Sequence, residues 1–322
     1  MTRSSRRRLV ATLFGIAVGA LAALATPAAP ASAHALLVQS TPGAGSVLAT
    51  APAEVVLVFS EPVGLVAGQV KILGPGGGVA SGAPSVRGAA LHVPLTAVKT
   101  HGTYVVSYRV ISADTHPVGG ALTFSIGAPS ANAAGVAGAS RDAGRVDPVV
   151  SVLMAAARWV GFVGMVLLIG VVTVIGRLWP RRLPRRGPAR LGLAGVATIA
   201  VATVAEVLLQ APYGAGTTML SVTGGDLRAA AVSRLGVLLL IRLVALAGVA
   251  ALARPMLTQV PAPASRRLGR ARGGAMLLLG TVGLLTWPLS GHPGASRVSG
   301  LSVAADTAHL AAVGVWLVRP HP

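Results

Sequence analysis

Apolar and polar positions follow three successive patterns along the chain. An apolar stretch near the amino terminus is followed, from residue 34 to about residue 127, by short runs in which apolar and polar residues alternate between Gly- and Pro-rich turns. Val55, Leu57 and Phe59 belong to one such run, and Tyr104 to Val110 form a longer one. Because a period of two is typical of half-buried strands, this part predicts a small antiparallel sandwich or barrel.

The rest of the chain carries long apolar runs. Five of them approach the roughly 20 residues that a membrane-spanning helix needs. They cover residues 149–176, 191–210, 232–253, 275–290 and 301–318. Apolar residues make up 53% of the chain and charged residues 11%, unlike the balance of a soluble globular protein. The sequence therefore predicts an α-helical multi-span membrane domain, residues 148–322, with about five transmembrane helices.

Two further segments flank the predicted β domain, residues 34–127. Residues 1–33 combine a basic start, an apolar stretch and the small residues Ala31, Ser32 and Ala33, the pattern of a secretory signal peptide. An uncleaved anchor helix is the alternative. Cleavage after Ala33 makes His34 the first residue of the mature chain. Residues 128–147 are rich in Ala, Gly and Ser and predict a flexible linker.

Basic residues are concentrated in a few short blocks. The chain has 27 Lys and Arg against 8 Asp and Glu, a formal net charge of +19. Beyond the first eight residues, most arginines follow the first and third predicted spans. By the positive-inside rule these blocks are cytoplasmic, and the β domain lies outside the cytoplasm in a multi-pass plasma-membrane protein. No basic stripe interleaved with aromatic residues is found, which argues against nucleic-acid binding.

The candidate metal ligands are nitrogen and oxygen donors, because the chain contains no cysteine. A mature amino-terminal His34 offers its α-amine and a ring nitrogen as one chelate, which suits Cu(II). Asp114 and His116 lie two residues apart between the last two predicted strands, so in an extended segment they project to the same side. Taken alone, an Asp-x-His segment is more often a solvated turn.

Four motifs follow one another in the predicted β domain: His34-Ala35-Leu36, Ser40-Thr41-Pro42, Val55-x-Leu57-x-Phe59-Ser60-Glu61-Pro62 and Ser112-x-Asp114-x-His116-Pro117-x-x-Gly120. With these motifs the domain resembles the CopC family of periplasmic copper-binding proteins. The resemblance implies an Ig-like, seven-stranded Greek-key sandwich that binds Cu(II) through His34, Asp114 and His116, with Glu61 in a supporting role. Residues 34–127 contain no methionine, so the Cu(I) site of some relatives is not expected.

Ionisable residues also occur in or near the predicted spans, where they are costly and usually serve a site. Asp306 and His309 are three residues apart, hence on one face of a helix, and His292 lies in the turn before that helix. These three residues are a candidate membrane path for copper. The alternative is that such residues only orient the helices, through ion pairs like one between Arg158 and Glu206, and that the histidines lie in water at the membrane interface.

The membrane part has three short motifs: Ser290-Gly291-His292, Asp306-x-x-His309 followed by Trp316, and residues 236–242. With these motifs it resembles the CopD family of copper-resistance membrane proteins, and the whole chain resembles the CopC-CopD fusions also called YcnJ-like. In that family the tryptophan helix continues into a Gly-Gly segment and further spans. The resemblance therefore predicts a CopD part that is truncated here.

The predicted function is the capture of Cu(II) outside the cytoplasm and its delivery to the membrane domain for copper import, homeostasis or resistance. The predicted partners are the copper ion, the lipid bilayer and a copper chaperone or reductase. An enzymatic activity is not expected, and no phosphate-binding loop follows a strand. Two alternatives are a histidine-brace copper oxygenase using His34, and a membrane haem or quinone protein using His292 and His309.

Overall fold

The computed structural model describes residues 35–96, 100–130, 145–175, 179–180, 183–184, 186–258, 266–295 and 298–317. The predicted signal peptide, His34 and the centre of the predicted linker, residues 131–144, lie outside these ranges.

Both described ends of the linker are held by hydrogen bonds. Ser130 exchanges two hydrogen bonds with Thr103 of the β domain. Asp147 accepts a hydrogen bond from the Val150 N–H at 3.0 Å and so caps the first helix.

Nine strands in the described residues form two packed sheets. They are β1 (Leu37–Thr41), β2 (Val47–Leu48), β3 (Glu54–Phe59), β4 (Val63–Leu65), β5 (Lys71–Leu73), β6 (Ser85–Arg87), β7 (Ala90–Pro94), β8 (Gly102–Ser112) and β9 (Pro117–Ile126). One sheet has the order β1-β3-β7-β6 and the other β2-β9-β8-β4, with β5 also paired to β8. The predicted all-β sandwich is confirmed. The strand count exceeds seven because β4 and β5 pair with different stretches of β8, and β2 has only two residues.

The core of the sandwich consists of the alternating apolar residues. Val55 and Leu57 on β3 are fully buried, and Tyr104 on β8 stacks on Phe124 of β9 with ring centroids 5.4 Å apart. Each such buried side chain stabilises the fold by about 1.5–3 kcal/mol. Strands β8 and β9 pair without interruption from Gly102 opposite Ile126 to Ile111 opposite Pro117. This long hairpin holds the connecting loop, residues 113–116, at a defined end of the sandwich.

Seven helices follow in the described part of the chain. They are α1 (Pro148–Thr173), α2 (Arg186–Ala215), α3 (Gly224–Val232), α4 (Arg234–Thr258), α5 (Arg266–Ser290), α6 (His292–Ala295) and α7 (Ser299–Trp316). Among the described residues, α1, α2, α4 and α5 are long and apolar enough to cross a membrane. The fifth predicted span corresponds to α7, whose 18 residues include Asp306 and His309 and which is not one of these four. A fifth span therefore stays a prediction.

Glycines allow α1 and α2 to pack closely. A Cβ atom on Gly164 of α1 would lie 2.9 Å from Ile199 Cγ1 and 3.0 Å from the Gly195 carbonyl oxygen of α2. Small residues at such a crossing let two helix backbones approach, which is a common basis of helix association in membranes. This pairing fixes the position of α2, whose last turn contacts the sandwich.

Candidate metal centre

Two of the predicted ligands, Asp114 and His116, lie in the turn between β8 and β9. The Thr115 N–H donates to the Ser112 carbonyl oxygen at 2.9 Å, and the Ser112 N–H donates to the His116 carbonyl oxygen at 2.9 Å. Between the two candidate ligands, Thr115 has a φ of 75°. A β-branched residue rarely occupies this left-handed region, and such strain persists only where the surrounding structure holds it. The turn therefore presents its side chains in one defined arrangement.

The carboxylate of Asp114 is buried and strongly hydrogen-bonded. One oxygen accepts from the Ser112 hydroxyl and, at 3.2 Å, from the His116 backbone N–H, and the other oxygen lies 3.3 Å from His116 Nδ1. Burial alone raises the pKa of Asp114, but the hydrogen bonds from His116 and Ser112 outweigh it and hold the pKa at about 2. Asp114 is therefore ionised at neutral pH, as a metal ligand must be.

Glu61 lies beside this turn, just after β3. Its carboxylate accepts a hydrogen bond from the backbone of Ala113, and burial, followed by the nearby charge of Asp114, raises its pKa. Within the described part of the chain, the buried Oε1 atom of Glu61 has no hydrogen-bond partner. An oxygen atom in that state is available to a bound cation or water. Glu61 thus lies beside Asp114, and its supporting role stays a prediction.

A third histidine, His292 of α6, contacts the same turn. Its Nδ1 lies 3.0 Å from Asp114 Oδ2, and its ring stacks on that of His116 with centroids 5.8 Å apart and an interplanar angle of 14°. The side chains of the two other residues of the predicted membrane path, Asp306 and His309, make no hydrogen bond or ion pair with any described residue. The structure therefore brings His292 to the sandwich and does not join it to Asp306 or His309.

The comparisons with known proteins concern the sandwich. Residues 37–127 match the family model of the CopC domain. Copper resistance protein C of Pseudomonas syringae pv. tomato is 35% identical over 105 residues, which cover 30% of this chain and 82% of that protein. The chain belongs to the CopC family. The resemblance of its helical part to the CopD family stays a prediction.

Other relatives differ in how much of their length the match covers. Copper transport protein CutJ of Bacillus subtilis (strain 168) is 34% identical over 99 residues, which are 30% of this chain and 18% of that protein. The solved structure of CopC from Methylosinus trichosporium OB3b is 28% identical and aligns with 31% of this chain and 98% of that chain, with a TM-score of 0.26. PcoC, a methionine-rich copper resistance protein from Escherichia coli, is 30% identical over 29% of this chain and 98% of that chain, with a TM-score of 0.25.

Three arginines, here called the docking arginines, join the CopC domain to the helices. Arg109 of β8 is buried and donates to the carbonyl oxygens of Gly214, Tyr213 and Arg145. The other two come from the helical part: Arg158 Nη2 lies 3.4 Å from the Thr115 hydroxyl, and Arg234 Nη1 lies 3.5 Å from the Ala113 carbonyl oxygen. They hold the β8–β9 turn against the helices.

Arg109 is a contact residue that the sequence did not indicate. The only available signal was an arginine between Tyr108 and Val110, both apolar core positions of a long strand. A charged side chain at such a site needs partners. Its partners are backbone carbonyl groups, which every residue has, so no sequence pattern identifies them. Arg158 and Arg234 could be recognised as ionisable groups near predicted spans, but their contacts with the CopC domain could not.

A separate polar cluster lies among the helices. The buried guanidinium of Arg242 lies 3.7 Å from the ring centroid of Trp287, its Nε donates to the Thr286 hydroxyl at 2.8 Å, and its Nη1 lies 3.8 Å from Glu206 Oε2. Glu206 therefore lies at ion-pair distance from Arg242, and the charge of Arg158 also acts on it. Paired and stacked in this way, Arg242 holds α2, α4 and α5 together.

The donors near the β8–β9 turn are suited to a borderline cation such as copper. They comprise imidazole nitrogens and carboxylate oxygens, without a thiolate, because the chain has no cysteine. Among the residues that the structure describes, no three His, Asp or Glu side chains are already arranged to hold a metal ion. A metal site that includes Asp114 and His116 would therefore need a further donor.

Proposed function

We propose that this chain binds Cu(II) outside the cytoplasm through His34, Asp114 and His116 of its CopC domain, and delivers the ion to its helical domain. The observation that carries the proposal is the ionised, buried carboxylate of Asp114, which lies 3.3 Å from His116 Nδ1 in a turn that contacts the helices. A cation bound at this turn has an imidazole and a carboxylate as ligands and adjoins the part of the chain that is predicted to span the membrane.

The path of the chain supports His34 as the missing donor. Ala35 is buried in the sandwich core, and the next residue, Leu36, exchanges two hydrogen bonds with Ser60, the neighbour of Glu61. The chain therefore enters the sandwich beside Glu61, whose carboxylate reaches the β8–β9 turn. A free amine and imidazole joined to the chain at this point supplement Asp114 and His116 with two nitrogen donors.

The donor types favour Cu(II) over Cu(I). Two imidazoles, an amine and a carboxylate match the tetragonal nitrogen and oxygen environment of Cu(II), whereas Cu(I) prefers thiolate and thioether ligands. Residues 34–127 contain neither cysteine nor methionine. The oxidation state of the bound ion is therefore part of the proposal.

Delivery to a membrane domain rests on four apolar helices and on the docking arginines. The helices have the length and composition of membrane spans, and the arginine blocks of the sequence orient the CopC domain to the outside. We infer that the helical domain is CopD-like and serves copper import, homeostasis or resistance. A copper chaperone or reductase is a partner of this function.

Electron paramagnetic resonance of Cu(II) bound to the purified full-length mature chain tests the proposal. The chain beginning at His34 should give a tetragonal spectrum with nitrogen couplings, and a version with one extra alanine before His34 should lose it. The substitutions Asp114→Asn and His116→Ala should each weaken Cu(II) binding about 10-fold or more. His101→Ala, in the same domain, is the matched control and should bind as the unmodified chain does. Equal binding with and without the extra alanine contradicts the proposal.

The alternative functions predict different outcomes. A histidine-brace oxygenase consumes oxygen and reductant when loaded with copper, whereas a delivery site gives almost no turnover. A haem protein requires two histidines that face each other from the helices, but His292 contacts Asp114 of the CopC domain. An absorption spectrum of the purified chain and an oxygen-uptake assay distinguish these alternatives from copper delivery.

A further inference from the structure

His292 belongs to the helical part of the chain but lies at the candidate copper site. It begins α6, in the turn that follows the long helix α5. Its Nδ1 and the Nδ1 of His116 lie 3.0 and 3.3 Å from the same atom, Asp114 Oδ2. One carboxylate oxygen of the CopC domain is thus shared between an imidazole of that domain and an imidazole of the helical part.

We propose that His292 is the first ligand of the helical domain to bind the copper ion, and that Asp114 stays bound while the ion passes from His116 to His292. This inference rests on the proposed function, which it extends by naming the acceptor and the shared ligand. In the exchange, the bond from copper to the His116 nitrogen breaks and a bond to the His292 nitrogen forms. The oxidation state does not change, so no reductant or other reactant is needed.

The distances agree with such an exchange. Bonds from a metal ion to imidazole nitrogen are about 2.0 Å long, so neighbouring donors around one ion lie about 2.8 Å apart. The separations of 3.0 and 3.3 Å are close to that value. The described side chains do not form a ready-made site of three ligands. We therefore assign His116 and His292 successive rather than simultaneous roles, with Asp114 common to both.

Arg234 fixes His292 relative to the turn of the CopC domain. Its Nη2 donates to the Leu289 carbonyl oxygen at 3.0 Å and approaches that of Gly294 at 3.5 Å, on either side of His292 in the sequence. Its Nη1 lies 3.5 Å from the Ala113 carbonyl oxygen, next to Asp114. One guanidinium therefore contacts both segments that carry the exchanging ligands, and Arg234 is a positioning residue.

His292 is more exposed than His116, which suits a side chain that has to move during the transfer. The side chain of His116 is 30% exposed, whereas that of His292 is 55% exposed while its ring still stacks on His116. A partly exposed imidazole on a short turn can change its rotamer at little cost, because few packed atoms have to move. His292 can therefore approach the ion and then leave with it.

A double-mutant cycle on the purified full-length mature chain tests this inference. The four proteins are the unmodified chain, His292→Ala, His116→Ala and the double variant. Their Cu(II) affinity is measured by competition with a chelator, and the number of bound imidazoles is counted by pulsed electron paramagnetic resonance. If His292 is an alternative ligand, His116→Ala retains a bound imidazole in addition to that of His34. The double variant should then lose that imidazole. Its Cu(II) affinity should be about 10-fold lower than the product of the two single effects predicts.

Matched variants keep the test decisive. His101→Ala replaces a histidine of the CopC domain away from the candidate site and should leave the affinity and the imidazole count unchanged in both backgrounds. His292→Asn keeps a polar side chain at the turn but has no imidazole, and should give the same excess loss because the ligand, and not the packing of the turn, is what both variants remove. The inference is overturned, and the proposed function left intact, if the effects of His116→Ala and His292→Ala are independent or if His101→Ala gives an equal excess loss. If the Cu(II) affinity does not change when His34, Asp114 or His116 is altered, the proposed function itself is refuted.

Discussion

Replacing Arg109 with methionine should separate the CopC domain from the helices. The Arg109 side chain is 2% exposed and donates to three backbone carbonyl oxygens, those of Gly214, Tyr213 and Arg145. All three acceptors lie outside the strands of the sandwich. Methionine fills most of the same volume but donates no hydrogen bond, so the substitution removes the polar contacts with little loss of packing.

The size of the effect follows from these contacts. Hydrogen bonds from a charged donor contribute about 1.5–3 kcal/mol each. Part of that gain is offset because burial disfavours the charged guanidinium and lowers the pKa of Arg109, and because released carbonyl groups regain water. We expect a net loss of ~2–4 kcal/mol in docking free energy, which shifts the docking equilibrium about 30- to 700-fold.

The distance between two spin labels reports docking directly. The chain has no cysteine, so the pair Lys71→Cys and Leu220→Cys, both at exposed positions, places one label on the CopC domain and one beside the helices. The docked chain should give one narrow distance distribution, and Arg109→Met should broaden it. The matched control is Arg87→Met, an exposed arginine on β6. An unchanged narrow distribution in Arg109→Met would refute the role assigned to this residue.

Two further predictions concern the helical part. Gly164→Ala should destabilise the pairing of α1 and α2, because the added Cβ meets Ile199 and the Gly195 carbonyl at about 3 Å. Gly280→Ala is the control and should be neutral, because nothing lies within 4 Å of its added Cβ. Thermal unfolding in detergent compares the two variants, and equal stabilities would contradict the close packing. In intact cells, a membrane-impermeant maleimide should label Leu220→Cys and not Gly187→Cys; the reverse pattern would invert the proposed topology.

Local patterns in the sequence were sufficient for the elements of the fold. Alternating apolar residues identified β3, β8 and β9, because burial on one face of a strand repeats every two residues. The four apolar helices were likewise visible as long runs. The two-residue strand β2 and the division of pairing along β8 between β4 and β5 carry no such signal, since they depend on which segments meet.

Part of the candidate site was also local. Asp114 and His116 are two residues apart, and a single turn brings them together, so the motif alone indicated both. Glu61 was expected beside them through the resemblance to the CopC family. That hydrogen bonds hold the Asp114 carboxylate ionised despite its burial is a property of its surroundings, which the sequence does not display.

The sequence by itself determined the two-part architecture, the apolar cores and the types of donor atom, because these follow from residue chemistry and short-range periodicity. Only the tertiary structure decided that His292 meets Asp114, and that Arg109 meets the carbonyl groups at the end of α2. The physical reason is that these contacts join residues more than 100 positions apart through groups without a distinctive sequence pattern. Their pairing depends on how the CopC domain and the helices pack against each other.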